Sequence, residues 1–174
     1  MMDGIFSHAD ADGPAESPDH VDLEPVVASV TIPMECNQAY EGFVDYLHLW
    51  WPLGVLSAIG PGSHLGFEGQ ALVEESENGK REQWGRIRRA EAPVPVDPHT
   101  QGHGRLELEF TLGQEHEAPS RVVVDFHETT TGATQVAVTH DRWPRGAEGR
   151  RARDRAEAWP EILGYYQRFM GGAA

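Results

Sequence analysis

Between Arg105 and Leu112 the chain alternates without a break, with Leu106, Leu108, Phe110 and Leu112 on one side and Glu107, Glu109 and Thr111 on the other. A period of two makes this an antiparallel strand with one buried face and one wet face. Such a strand needs paired neighbours and an apolar cover on one side. The neighbours are legible: VVASVTIP ends a first strand at Pro33, with Val26, Ala28, Val30 and Ile32 sharing a face. Leu65 to Phe67 and Ala71 to Glu75 read as a hairpin turned near Gly69, and a strand from Arg81 to Ala90 follows the turn Glu77-Asn78-Gly79-Lys80. Asn-Gly suits the two positive φ angles of a type I′ turn. Val122 to Thr129 and Ala133 to His140 form a further hairpin about Thr130-Thr131-Gly132. Six or seven antiparallel strands result.

The cover comes from helices. Ala39, Tyr40, Phe43, Val44 and Leu47 recur at spacings of three and four within 35 to 46, and a short second helix or turn carries His48 to Trp51. From about Arg145 to Met170 a longer stripe contains Ala152, Ala156, Trp159, Leu163, Tyr166 and Met170. Pro160 falls inside that stretch, removes one backbone donor and predicts a kink or break. Residues 52 to 63 read as a loop, and the proline- and glycine-rich run from Pro93 to Gly104 reads as a long exposed connection.

Charge and length bound the function classes. At 174 residues the chain fits one domain able to bury a core without disulfide or metal. The net charge is -14, and residues 1 to 25 contribute seven acids and no Lys or Arg. That segment reads as an acidic disordered tail, which leaves a single domain over 26 to 174. The domain itself keeps an acidic excess, so nucleic acid and anionic membranes are not expected partners. No apolar run approaches the roughly 20 residues of a membrane span, and the lone Cys36 forms no internal disulfide, so the expected location is the cytoplasm. Thirteen Arg against one Lys reads as the codon or habitat bias of a GC-rich bacterium.

The strands Thr31-Ile32-Pro33, Trp84-Gly85-Arg86-Ile87 and Thr134 through His140 carry a resemblance once they are taken in order with four other segments. Those are Ala39-Tyr40-Phe43, Trp50-Trp51-Pro52, Glu91-Ala92-Pro93 and Trp159-Pro160-Glu161-Ile162-Leu163. Over about residues 26 to 171 the chain resembles the START-like superfamily called SRPBCC, and within it the group named after the activator of Hsp90 ATPase. The resemblance implies an α+β helix-grip fold, START-like or Bet v 1-like. In that fold a curved antiparallel sheet grips a long C-terminal helix, and two short helices after strand one close an end of a cavity. Members bind lipids, polyketides, sterols and other apolar molecules; some catalyse cyclisation and others bind protein. Ala158 stands where the group usually has Gly, and the insert from 94 to 104 is longer than a compact turn. The acidic tail is no substitute for the separate domain that the eukaryotic co-chaperone uses, so Hsp90 activation is not expected.

The residues weighed for chemistry are few. His140 beside Asp141 has the arrangement that tunes a general base, against a structural histidine bonded to backbone. Of Phe126 and His127 one must face outward, and the histidine is the better choice. His99 and His103 have H-x-x-x-H spacing, but Pro98, Gly102 and Gly104 forbid the helix that would face both at a metal. His116 reads as solvated, Cys36 as a small packed residue, and the arginines from Arg142 to Arg155, interleaved with acids, as a wet helix face. Arg86 and Arg88 are exposed if Ile87 points inward; otherwise they face the cavity and would meet a ligand carboxylate. No nucleophile motif, phosphate loop or carboxylate pair is present, and neither cofactor nor metal is expected. The leading expectation is a protein that binds an apolar small molecule through Trp51, Phe67, Ile87, Phe110, Phe126, His140, Trp159 and Leu163. A polyketide cyclase or dehydratase using His140, and a protein-interaction module of the stress or co-chaperone kind, are the alternatives. A homodimer stays open.

Overall fold

The computed structural model describes residues 22–94, 101–112 and 118–173. Seven strands form one antiparallel sheet in the order β1-β7-β6-β5-β4-β3-β2, curled into a half-barrel. The strands are β1 (Val26–Ile32), β2 (Ser63–Glu68), β3 (Ala71–Ser76), β4 (Arg81–Glu91), β5 (His103–Phe110), β6 (Ser120–Glu128) and β7 (Thr134–Asp141). Two short helices, α1 (Cys36–Val44) and α2 (Leu47–Trp50), follow β1, and α3 (Gly146–Ala156) and α4 (Trp159–Phe169) close the chain. Leu23 packs on the core and the Glu24 carbonyl accepts from Trp143 and Arg153, so the last residues before β1 are docked. Most of the tail lies outside the described residues, as do Pro95, Pro98 and His99 of the insert and the loop carrying His116.

Alternation does the sorting on β1, β5, β6 and β7. Leu106, Leu108, Phe110, Val122, Val124, Phe126, Val136 and Val138 are buried against the helices, and His127 is exposed. β4 departs from strict alternation, because it carries an extra residue twice. Leu72 and Val73 pair with Gly85 and Gln83, which leaves Trp84 as the surplus residue of a bulge; a second bulge falls at Arg88, between Ile87 and Arg89. Each bulge reverses which parity faces inward. Trp84 is therefore fully buried, Ile87 three residues later packs on the core, and Arg86 and Arg88 are exposed. Gly85 sits against β5 so closely that a β-carbon there would run into the Glu109 carbonyl oxygen.

One turn differs in detail from expectation. At Glu77-Asn78-Gly79 only Gly79 has positive φ, and Gly79 N–H donates to the Ser76 carbonyl, so the hairpin uses an ordinary turn followed by a left-handed glycine rather than type I′. The C-terminal stripe is two helices: α3 ends at Ala156, and Pro160 lies in the first turn of α4, where its missing donor costs nothing. The break predicted from the proline is there, two residues ahead of it. All six stripe residues, Ala152, Ala156, Trp159, Leu163, Tyr166 and Met170, are buried.

Candidate functional site

The interior between sheet and helices is filled by rings. All five tryptophans are buried, and Trp50, Trp51, Trp84 and Trp159 touch in series: Trp50 meets Trp51 at 5.7 Å, and Trp51 meets Trp84 and Trp159 edge-on at 5.5 and 5.7 Å. Trp50 donates to the Gly42 carbonyl and leans on Phe43 and Tyr166, while Trp51 donates to the Leu56 carbonyl. The adjacent indoles thus face different neighbours: Trp50 ties α2 to α1 and α4, and Trp51 turns toward the sheet. Tilted and edge-on contacts of this kind fill space with little void.

Among the described residues a small space survives in this interior. It is a cavity of about 10 Å³ lined by Leu56, Phe110, Leu112, His140, Ala152, Arg155, Ala156, Trp159 and Ile162, room for a single water at most. Beside it lies an open cleft of about 470 Å³ bounded by Leu56, Ser57, Ala58, Glu82, Gln83, Trp84, Thr111, Leu112 and Arg155. Leu56, Leu112 and Arg155 line both, so these three side chains form the partition between the closed space and the open one.

Of the eight residues chosen from the sequence, Phe110, His140 and Trp159 meet at the small cavity. Trp51 stands behind Trp159. Phe126 lies at the opposite end of the core against Tyr40 and Phe43, and Leu163 is fully enclosed. Phe67 and Ile87 are half-buried on the outer half of the sheet, away from the cavity. Of the other lining residues, Leu112, Ala152 and Ala156 were legible as core-facing, Ile162 as part of the segment from Trp159 to Leu163 and Arg155 as part of a wet helix face, whereas Leu56, a lone leucine in a loop, carried no signal.

His140 is the polar centre of the cavity wall. Trp159 Nε1–H donates to its Nδ1 at 3.1 Å, which fixes the neutral tautomer with the proton on Nε2. That Nε2 donates to Ser120 Oγ at 2.8 Å, and the hydroxyl donates to the Phe110 carbonyl at 3.1 Å. Trp143 stacks on the imidazole with ring centres 4.3 Å apart. Burial pushes the His140 pKa down to about 3, and the charge of Asp141 offsets little of that. The Asp141 carboxylate, placed beside His140 in the sequence reading, instead pairs with Arg121 on the other face of the sheet at 2.7 Å. Neither Ser120 nor Trp143 was legible as a partner of His140; Ser120 lies two residues along β6 from Val122, which is the residue opposite His140, and Trp143 lies beyond the end of β7.

A second buried polar group holds the loop over the cavity. Glu74 is fully buried on β3 and accepts hydrogen bonds from Ser57 and Ser63 hydroxyls, the Ala58 and Ile59 amides and Trp84 Nε1–H. Burial by itself would raise the Glu74 pKa, but the donors from Ser57, Ser63, Ala58 and Trp84 outweigh it and hold the carboxyl below its ordinary value. The loop that presents Leu56 is thereby pinned to the sheet. Cys36 is buried, and burial together with the nearby Glu128 charge pushes its thiol up to about 11, which leaves no thiolate for chemistry. Among the described residues one group of three side chains, His103, Asp125 and His127, could hold a metal; it lies on the outer face of the sheet.

No protein-family model and no curated protein matches this chain. Solved structures do match. CalC from Micromonospora echinospora, described as a self-sacrificing resistance protein, is similar with a TM-score of 0.57 and 24% identity over 86% of this chain and 96% of that one. Protein MLL2253 from Mesorhizobium loti matches with a TM-score of 0.52 and 17% identity, covering 85% of this chain and 97% of that one. CalU16, also from Micromonospora echinospora, matches at 0.50 and 12% over 86% of this chain and 76% of that one. The chain has the helix-grip fold. Identities this low carry the fold and nothing finer. No helix among the described residues is long and apolar enough to cross a membrane.

Proposed function

We propose that this protein binds a small apolar molecule at the α3 end of the helix-grip core. The observation that carries the reading is the partition of Leu56, Leu112 and Arg155 between the closed aromatic cavity and the 470 Å³ cleft. Turning Leu56 and Leu112 aside would join the two spaces into one of the few hundred Å³ that small-molecule sites occupy. A ligand there would lie on Phe110, Trp159 and Ile162, with the Arg155 guanidinium at the rim to meet a carbonyl, phenolate or carboxylate. The fold supports this class of ligand, since helix-grip proteins commonly take apolar molecules between sheet and helix. The order of segments from Thr31 to Leu163 supports placing the chain in the SRPBCC superfamily and its Hsp90-ATPase-activator-like group.

The cyclase or dehydratase alternative has little support in the geometry: both His140 nitrogens are engaged and burial suppresses its basicity, so it is a poor general base. The near-solid core is what favours the other alternative, a protein-interaction module.

Native mass spectrometry of the gently purified chain, beside an Ala152→Trp variant whose indole would occupy the joined space that opens when Leu56 and Leu112 turn aside, tests the reading. The expected result is a bound mass on the parent that is absent from the folded variant. Equal loading of the two, or no small-molecule binding by the parent, would overturn it.

A further inference from the structure

On the outer face of the sheet, β5 and β6 run antiparallel with His103 directly opposite His127 and Arg105 directly opposite Asp125. The imidazoles of His103 and His127 lie with centres 4.4 Å apart and their planes inclined by 37°. Asp125 sits one step along the ladder on the same face, and its Oδ1 is 3.8 Å from His103 Nε2. One ligand atom from each of the three lies within 4.8 Å of the others. Atoms bound tetrahedrally to zinc at about 2.0–2.1 Å stand roughly 3.3 Å apart, so modest side-chain rotation closes the set.

We infer that His103, Asp125 and His127 form a surface binding site for a divalent transition-metal ion of the zinc type. The chemistry selects the ion: two imidazoles and one carboxylate suit zinc, nickel or copper, whereas magnesium and calcium prefer oxygen alone. Three protein ligands on one face leave the remaining coordination positions to water or to a ligand.

The scaffold is rigid where it needs to be. Gly102 N–H donates to the Glu128 carboxylate and Glu128 N–H donates to the Gly102 carbonyl, which pins the start of β5 and therefore the His103 backbone opposite β6. Arg105 Nη1 donates to Asp125 Oδ1 at 2.8 Å, orienting the carboxylate while leaving Oδ2 for the ion. The guanidinium also opposes a dication, so the affinity will be lower than that of a structural zinc site. No spacing rule along the chain reveals this group. The pairing is across strands, and the H-x-x-x-H spacing of His99 and His103 points away from it.

The test is calorimetric titration of zinc chloride into the full chain after removal of metal with a chelator, repeated with magnesium chloride. The parent is expected to take up one more equivalent of zinc than either His103→Ala or His127→Ala, with affinity at that site reduced at least about tenfold in each variant. His64→Ala, an exposed histidine on β2, should match the parent, and magnesium should show no such equivalent. His103→Gln and His127→Gln provide a second pair should an alanine variant melt early. Zinc uptake by the parent no greater than that of the variants, or a loss in only one of the two, would overturn the site.

Discussion

Within the cavity wall, His140 couples chemistry to stability. Its relay from Trp159 through the imidazole and Ser120 to the Phe110 carbonyl satisfies every polar atom only while the ring is neutral. With its pKa lowered from the ordinary 6.5 to about 3, the folded protein binds fewer protons than the unfolded chain throughout that interval. The sign follows: the contribution of His140 is complete above pH 6.5 and is lost as pH falls toward 3, with a slope approaching about 1.4 kcal/mol per pH unit. Denaturant melts of the parent and His140→Gln between pH 4 and pH 6 should therefore differ in slope by close to one proton, the variant being flatter. Tyr166, whose pKa burial raises rather than lowers, plays a simpler part: its hydroxyl donates to the Ala39 carbonyl and ties α4 to α1. Sequence reading could find His140, since a histidine on an apolar strand face is conspicuous. It could not find the relay, because Ser120 and Trp159 reach His140 only through the register of β6 with β7 and the docking of α4.

Among the elements, the loop from 52 to 62 and helix α3 decide whether the core can open. The loop is held chiefly by Glu74, whose carboxylate accepts from two hydroxyls, two amides and an indole. Glu74→Gln would set an amide NH2 against donors and is expected to cost about 1–3 kcal/mol in denaturant stability, with faster hydrogen exchange at Ala58 and Ile59. Unchanged exchange at those amides would show that the loop is held by something else. Because its folded pKa is depressed, the stabilisation by Glu74 is present above its ordinary value of 4.5 and lost below it, a lower window than that of His140. Helix α3 reaches the core through small residues, Gly149, Ala152 and Ala156, while Arg151 pairs with Glu148 and Arg153 with Glu157 at the surface and Arg155 borders the cavity and the cleft. The wet face of α3 was plain from its charges, and so was the break near Pro160. The bulges at Trp84 and Arg88 were not, because a surplus residue alters which side chains face inward without altering composition.

At the scale of the whole molecule, the order of strands and helices was readable almost throughout, since period-two and period-3.6 runs are long and cleanly bounded. The degree of filling was not. Whether Trp50, Trp51, Trp84, Trp143 and Trp159 line a hollow or fill it depends on the angles at which rings meet, and those angles are set by tertiary packing rather than by spacing. The rings fill it, and the proposed ligand site therefore lies at the α3 end rather than in the middle of the core. The five indole N–H signals give this arrangement a direct readout, since each tryptophan occupies a distinct part of the core. In a proton–nitrogen correlation spectrum recorded while a panel of small apolar molecules is titrated in, the account predicts saturable shifts of the Trp159 and Trp84 indoles and of the Ala152 and Ala156 amides, with the Trp50 indole unmoved. Shifts centred on Trp50 and the Phe126 end of the core, or none that saturate, would contradict it.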